Sequence, residues 1–269
     1  MRILAVLAEA ETTHACLDAA TAAARTLGGA RIEALHVIVD PKALVTSDEE
    51  LDIQFLREKY EGTAQERAAA VHRQFASWIA AADNDAAEVR WCSVAGAEET
   101  EVVRAAHDAD LIVVPHPHDL DGYDALHAAL FRTGRPLLLA PGKWPRDVRF
   151  PGHVVLYWHG EEYPTPALEA ALPWFGAAEK VTVLLVGQAV THSVWVTQWL
   201  DDREIMANVK STDRHHETLD HCILETAHDL GAGLLVMGPR THSGIVEWLT
   251  GGATHQLVNH IDLPTLLSH

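Results

Sequence analysis

The stretch best equipped for chemistry is GPRTHSGIVEWLTGGATHQL, from Gly238 to Leu257, with a glycine at its start and the pair Gly251-Gly252 further on. Hydroxyls stand nearby at Thr241, Ser243 and Thr254. Successive glycines at a helix entrance present backbone N–H groups to an anion, and the helix dipole adds a favourable field. The chemistry this suggests is capture of a phosphate or another small anion. The same glycines also suit a plainer role, letting a loop enter a helix, and the residues leave both readings open.

Histidine is the second reservoir of chemistry, at 18 residues. His116 and His118 flank Pro117, while His215, His216 and His221 gather near a helix start, so several imidazoles could converge on a metal ion. No H-E-x-x-H, no metal-ligand pair spacing and no G-x-S-x-G nucleophile turn occurs, so a histidine-rich metal protein ranks last among the readings and dedicated hydrolysis is not expected. Glu247 lies near the glycine pair but reads as helix-surface charge, so ATP hydrolysis would be weak at most. Glu9 and Glu11 read as solvated. Cys16, Cys92 and Cys222 are odd in number and far apart, which suggests neither a disulfide framework nor a thiolate zinc site.

The elements that would position these residues recur in pairs. RILAVLAE (2–9) resembles HVVLYWHG (153–160), RIEALHVIV (31–39) resembles KVTVLLVG (180–187), ADLIVVPHP (109–117) resembles AGLLVMGPR (232–240), and RPLLLAPG (135–142) resembles LPTLLSH (263–269). Each run has the length and apolar continuity of a buried parallel strand. Between them the period becomes helical: Cys16, Ala20, Ala23 and Leu27 form a stripe ending at Gly28, and Leu219, Ile223, Ala227 and Leu230 form another ending at Gly231. Glu98 to Asp108 reads as a helix, as does Pro166 to Ala178. An insertion after the second strand, 48–82, carries Val71, Phe75, Trp78, Ile79 and Ala82 at helical spacing and predicts an extra hairpin or long helix in the first half. The fold class is therefore α/β, two tandem doubly wound parallel-sheet domains over 1–142 and 153–269, with the boundary at 143–152 where Pro145, Pro151 and Gly152 interrupt the pattern. In such sheets the ligand crevice lies beyond the carboxyl ends of the strands, which directs attention to 8–9, 115–118, His159 and Gly160, Gly187, and Gly238 onward.

Composition removes several classes. Twenty Lys and Arg against 38 Asp and Glu leave a formal charge of −18, which repels a phosphate backbone, so nucleic acid is not an expected partner. No apolar run approaches a membrane span and the first, 3–8, is too short for a signal sequence; a cytoplasmic location without a membrane partner is expected. Protonating all 18 histidines would bring the formal charge to zero, and solubility should suffer near their pKa.

On these residues the chain resembles the universal stress proteins in tandem form, two adenine-nucleotide α-hydrolase-like domains in one polypeptide. VMGPRTHSG (236–244) followed by LTGGATHQLV (249–258) is similar to the family's phosphate loop, and PTLLSH (264–269) to its final strand. The resemblance implies a stress-response or regulatory role, with ATP or another anionic ligand in the second domain. In the family's nucleotide-binding signature Gly238 and Gly251 match glycines, Thr241 stands in place of a second glycine, and Gly252 replaces a hydroxyl residue. Thr241 puts a β-branched side chain where positive φ or close ligand approach is needed. The family's first-strand acid aligns with Ala8 in the first half and with His159, followed by Gly160, in the second. The first half keeps no phosphate loop, since Pro115 and Pro117 remove backbone donors. The resemblance also implies assembly: an internal pseudo-dimer in which 137–140 and 265–267 meet, or a homodimer. An interaction scaffold with vestigial pockets is the alternative, with Trp195 and Trp199 either a partner-facing patch or core.

Overall fold

The computed structural model describes residues 1–40, 58–82, 88–145, 150–214, 218–238 and 261–268. The chain forms two compact units, Met1–Trp144 and Pro145–His269.

In the first unit five strands, β1 (Arg2–Val6), β2 (Arg31–Ile38), β3 (Val89–Ala95), β4 (Leu111–Pro115) and β5 (Leu137–Ala140), take the order β3-β2-β1-β4-β5. All four pairings are parallel; Ile3 faces Ile32 on one side and Leu111 on the other. Helices α1 (Thr13–Thr26), α2 (Ala64–Ala81), α3 (Glu98–Ala106) and α4 (Leu120–Phe131) connect them. The apolar runs of β1, β4 and β5 are buried on both sides, as continuous Val/Leu/Ile strands between helical layers must be. Small residues on α1, Ala19, Ala20, Ala23 and Ala24, are fully buried, so the helix lies close to the sheet. Leu27 caps α1 and Gly28 follows with φ +80°, the left-handed step that ends the helix.

Among the described residues of the insertion after β2, 64–81 form the long helix α2. A capping box starts it: Thr63 Oγ1 accepts from the Glu66 amide at 3.3 Å while Glu66 Oε2 accepts from the Thr63 amide at 2.8 Å. Val71, Phe75 and Trp78 face inward, whereas Ile79 is 42% exposed and so falls off the stripe expected of it. Phe75 packs on Trp91 of β3 at 4.9 Å between ring centres, and Trp78 Nε1 donates to Asp18 Oδ1 of α1 at 2.7 Å. The helix thus covers an edge strand that is itself poorly apolar.

In the second unit β6 (His153–Tyr157), β7 (Lys180–Val186), β8 (Ala207–Thr212), β9 (Leu234–Met237) and β10 (Thr265–Leu267) follow the order β10-β9-β6-β7-β8, the same path as the first. These four pairings are again parallel. The helix expected over 166–178 is two short ones, α5 (Pro166–Ala170) and α6 (Leu172–Ala177). Pro173 has no N–H for the Glu169 carbonyl and its ring crowds that turn, so one continuous helix cannot pass. A 3₁₀ turn, Val190–Ser193, leads into α7 (Val194–Asp201), and α8 (Leu219–Asp229) precedes β9. Strands β3 and β8 escape a sequence reading because they are edges, with exposed or half-exposed positions throughout.

One buried and one half-buried histidine tie strands to their neighbours. His36 of β2 donates from Nδ1 to the Leu7 carbonyl at 2.7 Å and stacks on Trp91, while its Nε2 is buried without a partner among the described residues. Burial lowers its pKa, partly opposed by that carbonyl. His153 of β6 donates from Nδ1 to the Leu230 carbonyl and accepts at Nε2 from the Thr182 hydroxyl, both at 2.8 Å; burial again lowers its pKa. Cys16 and Cys222 are buried free thiols, and burial pushes the Cys16 thiol far up, which makes it inert.

Candidate functional site

The strand order reverses at β1/β4 in the first unit and at β6/β9 in the second, so each has one crevice of the kind that holds ligands in such sheets. The two are built differently.

In the first, the chain leaving β1 reaches Glu9, and the chain leaving β4 runs through His116, Pro117 and His118 to Asp119, the N-cap of α4. Asp119 Oδ1 accepts from the Gly122 amide at 2.9 Å. Glu9 is only 7% exposed. Its Oε1 accepts from the His118 amide at 2.7 Å and the Asp119 amide at 3.0 Å, and its Oε2 lies 3.3 Å from His118 Nδ1. The expectation that Glu9 is solvated is therefore wrong: two amides and the positive end of α4 compensate the lost water. Pro115 and Pro117 remove donors at their own positions, but the amides just beyond Pro117 remain and are satisfied from within the unit. Burial and the Glu9 charge raise the pKa of Tyr123 on α4. Gly122 is required by this packing, because a Cβ there would fall 2.0 Å from Glu9 Oε1.

In the second crevice, the turn after β6 is Trp158, His159 and Gly160, beside Gly187 and Gln188 after β7. Gly160 has φ +93° and Gly187 φ +66°, conformations that L side chains avoid. At Gly160 space is short as well, since a Cβ would lie 3.2 Å from both Gln188 Oε1 and His192 Cδ2. Gln188 Nε2 donates to the His159 carbonyl at 2.9 Å and contacts His159 Nδ1 at 3.2 Å, which leaves the imidazole proton on Nε2. Gln188 Oε1 is buried without a donor among the described residues. Trp158 is buried beneath this turn and begins a ladder: Trp158 on Trp195 at 6.0 Å, Trp195 on Trp199 at 6.3 Å, and the Arg203 guanidinium 3.7 Å over Trp199. Of the two roles open to Trp195 and Trp199, Trp199 takes the core one, while Trp195 is half-buried in the ladder.

No protein-family profile matches this chain, and no curated protein matches it. Solved structures do. A universal stress protein from Archaeoglobus fulgidus is 15% identical with a TM-score of 0.60, and the match covers 99% of this chain and 95% of that one. The chain has the universal stress protein fold. A functionally unknown protein from Pseudomonas aeruginosa (TM-score 0.55) and a "putative universal stress protein" from that organism (0.51) are each 13% identical, covering 99% of this chain and 92% of theirs.

Within that fold, His159 and Gly160 at the end of β6, Gly187 at the end of β7 and Gly238 at the end of β9 share the carboxyl end of one sheet. Gly238 has no positive φ, and a Cβ there would meet Ala167 Cβ at 3.5 Å, an ordinary contact. Thr241, Ser243, Gly251, Gly252 and Thr254 lie outside the described residues, as do His215 and His216. The His116 and His118 rings meet edge to face at 5.4 Å, and among the described residues no three His, Cys, Asp or Glu side chains are placed to hold a metal ion. No helix among the described residues is long and apolar enough to cross a membrane. The residues that sequence reasoning missed are Glu9, Gln188 and Trp158. Only one left a trace: a glycine in the first turn of α4, at Gly122, signals a close neighbour without saying which.

Proposed function

We propose that this is a non-catalytic stress-response or regulatory protein whose second unit binds ATP or another anionic small molecule at the carboxyl ends of β6 and β9. The observation that carries the reading is the contrast at the reversal points: the first unit places a buried carboxylate against its helix-entry amides, while the second places His159 at the matching turn and keeps two left-handed glycines beside it. An imidazole carries no fixed negative charge and does not repel phosphate as a carboxylate would. The fold of the solved neighbours supports the stress-protein reading.

Thermal unfolding with ATP or ADP and magnesium tests it. A ligand present at about one hundred times its dissociation constant stabilises the native state by roughly 2.7 kcal/mol, a readily measured rise in Tm. Protein that carries no nucleotide on purification and melts unchanged in excess ATP would remove the binding half of the proposal. A second reading, an interaction scaffold whose pockets are vestigial, is favoured by the Glu9 contact, which occupies one crevice from within. Light scattering that finds specific assembly in nucleotide-free protein would select that reading.

A further inference from the structure

We propose that Glu9 is an intramolecular replacement for a ligand anion, and that its carboxylate closes the first unit's crevice to phosphate. The inference concerns the first unit and stands whether or not the second binds a nucleotide.

Two features separate Glu9 from an ordinary surface carboxylate near a helix start. It reaches the amides from another strand end, 109 and 110 residues away in sequence, with one oxygen shared between two consecutive N–H groups at 2.7 and 3.0 Å. That is the arrangement by which a helix entrance grips an external oxyanion, here supplied by the chain itself. The packing around it is also fitted to a carboxylate. Gly122 leaves the volume that Oε1 fills, Pro117 Cβ would stand 3.0 Å from any Cβ at Gly122, and the Thr13 hydroxyl holds the Glu9 carbonyl at 2.7 Å.

Electrostatics completes the closure. Asp119 caps α4 and Asp121 in its first turn is 7% exposed, so an incoming phosphate meets Glu9, Asp119 and Asp121 together. His118 Nδ1 stands 3.3 Å from the other oxygen of Glu9. A dianion would have to displace the carboxylate, take its two amides and bear two remaining acids. In the wild-type protein this crevice is therefore shut to phosphate by an occupant that cannot diffuse away.

The test is chemical rescue in the full chain. Glu9→Ala leaves the His118 and Asp119 amides without an acceptor. Inorganic phosphate or acetate should then raise the Tm of Glu9→Ala progressively with concentration and raise that of the wild type less or not at all. The amide resonances of His118 and Asp119 should move with added anion in the variant alone, which separates this site from any binding in the second unit. Equal responses of the two proteins, or unmoved amides at 118 and 119, would overturn the proposal. Should Glu9→Ala not fold, Glu9→Gln serves instead: it keeps the shape and removes the charge, so those two amides should exchange with solvent roughly tenfold faster than in the wild type. Unchanged protection in Glu9→Gln would equally defeat it.

Discussion

The two units follow the same strand path and part company in the turn that leaves the central strand. Where the first sheet reverses, the chain leaving its central strand delivers Glu9 to the amides at the mouth of α4. Where the second reverses, it delivers His159, whose imidazole and carbonyl are held by Gln188. One crevice is satisfied by its own acid; the other presents an imidazole beside two glycines in left-handed conformation. A shared scaffold thus does not imply a shared ligand.

The strongest way to break this comparison is to exchange the two residues' burdens. Glu9→Ala should cost about 2–4 kcal/mol in urea unfolding, since two buried amides lose a charged acceptor. His159→Ala should cost under about 1 kcal/mol, because it removes one half-buried ring contact. Similar costs at both positions would mean that Glu9 is no more built-in than His159.

Next in size is the response to acid. His36 in the first unit and His153 in the second both have pKa values lowered by burial. The unfolded chain therefore takes up protons on these rings before the folded one does. Their contribution to stability is complete above the unfolded histidine value near 6.5 and is lost as pH falls from there through the depressed folded values. Urea midpoints should drop over that range, and His36→Gln or His153→Gln should each flatten the fall. A midpoint independent of pH between about 7 and 5 would contradict both assignments.

The smallest effects sharpen the second crevice. Gly160→Ala should destabilise by about 1–2 kcal/mol, as both backbone and space oppose a side chain there. Gly238→Ala should change stability by no more than about 0.5 kcal/mol, since its Cβ would make one ordinary contact. If Gly238→Ala nonetheless weakened nucleotide binding without loss of stability, Gly238 would be assigned to ligand approach and not to the turn.

Much of the fold was legible because buried parallel strands announce themselves. RILAV, LIVVP, LLLA, HVVLY and KVTVLLV are apolar runs of strand length, and Gly28 and Gly231 punctuate the helices between them. The edge strands did not announce themselves: VRWCSVA and ANVKST are held by one neighbour and the helices over them, so their own apolar pattern is weak. The break inside 166–178 was present as Pro173 but outweighed by the helical spacing of Leu168, Leu172 and Phe175. At the site, Gly160 could be read as a turn glycine from its place after a strand. The role of Glu9 could not, since its partners lie more than a hundred residues away.

Residue order alone determined the alternation of strand and helix, the paired segments and the acidic, histidine-rich composition, because hydrophobic period and charge are local properties of a chain. Only the tertiary structure decided which polar groups are withdrawn from water and what satisfies them. Whether Glu9 is bathed in solvent or seated on the α4 amides depends on how two distant strand ends are brought side by side, and that is a property of the sheet and not of any segment within it.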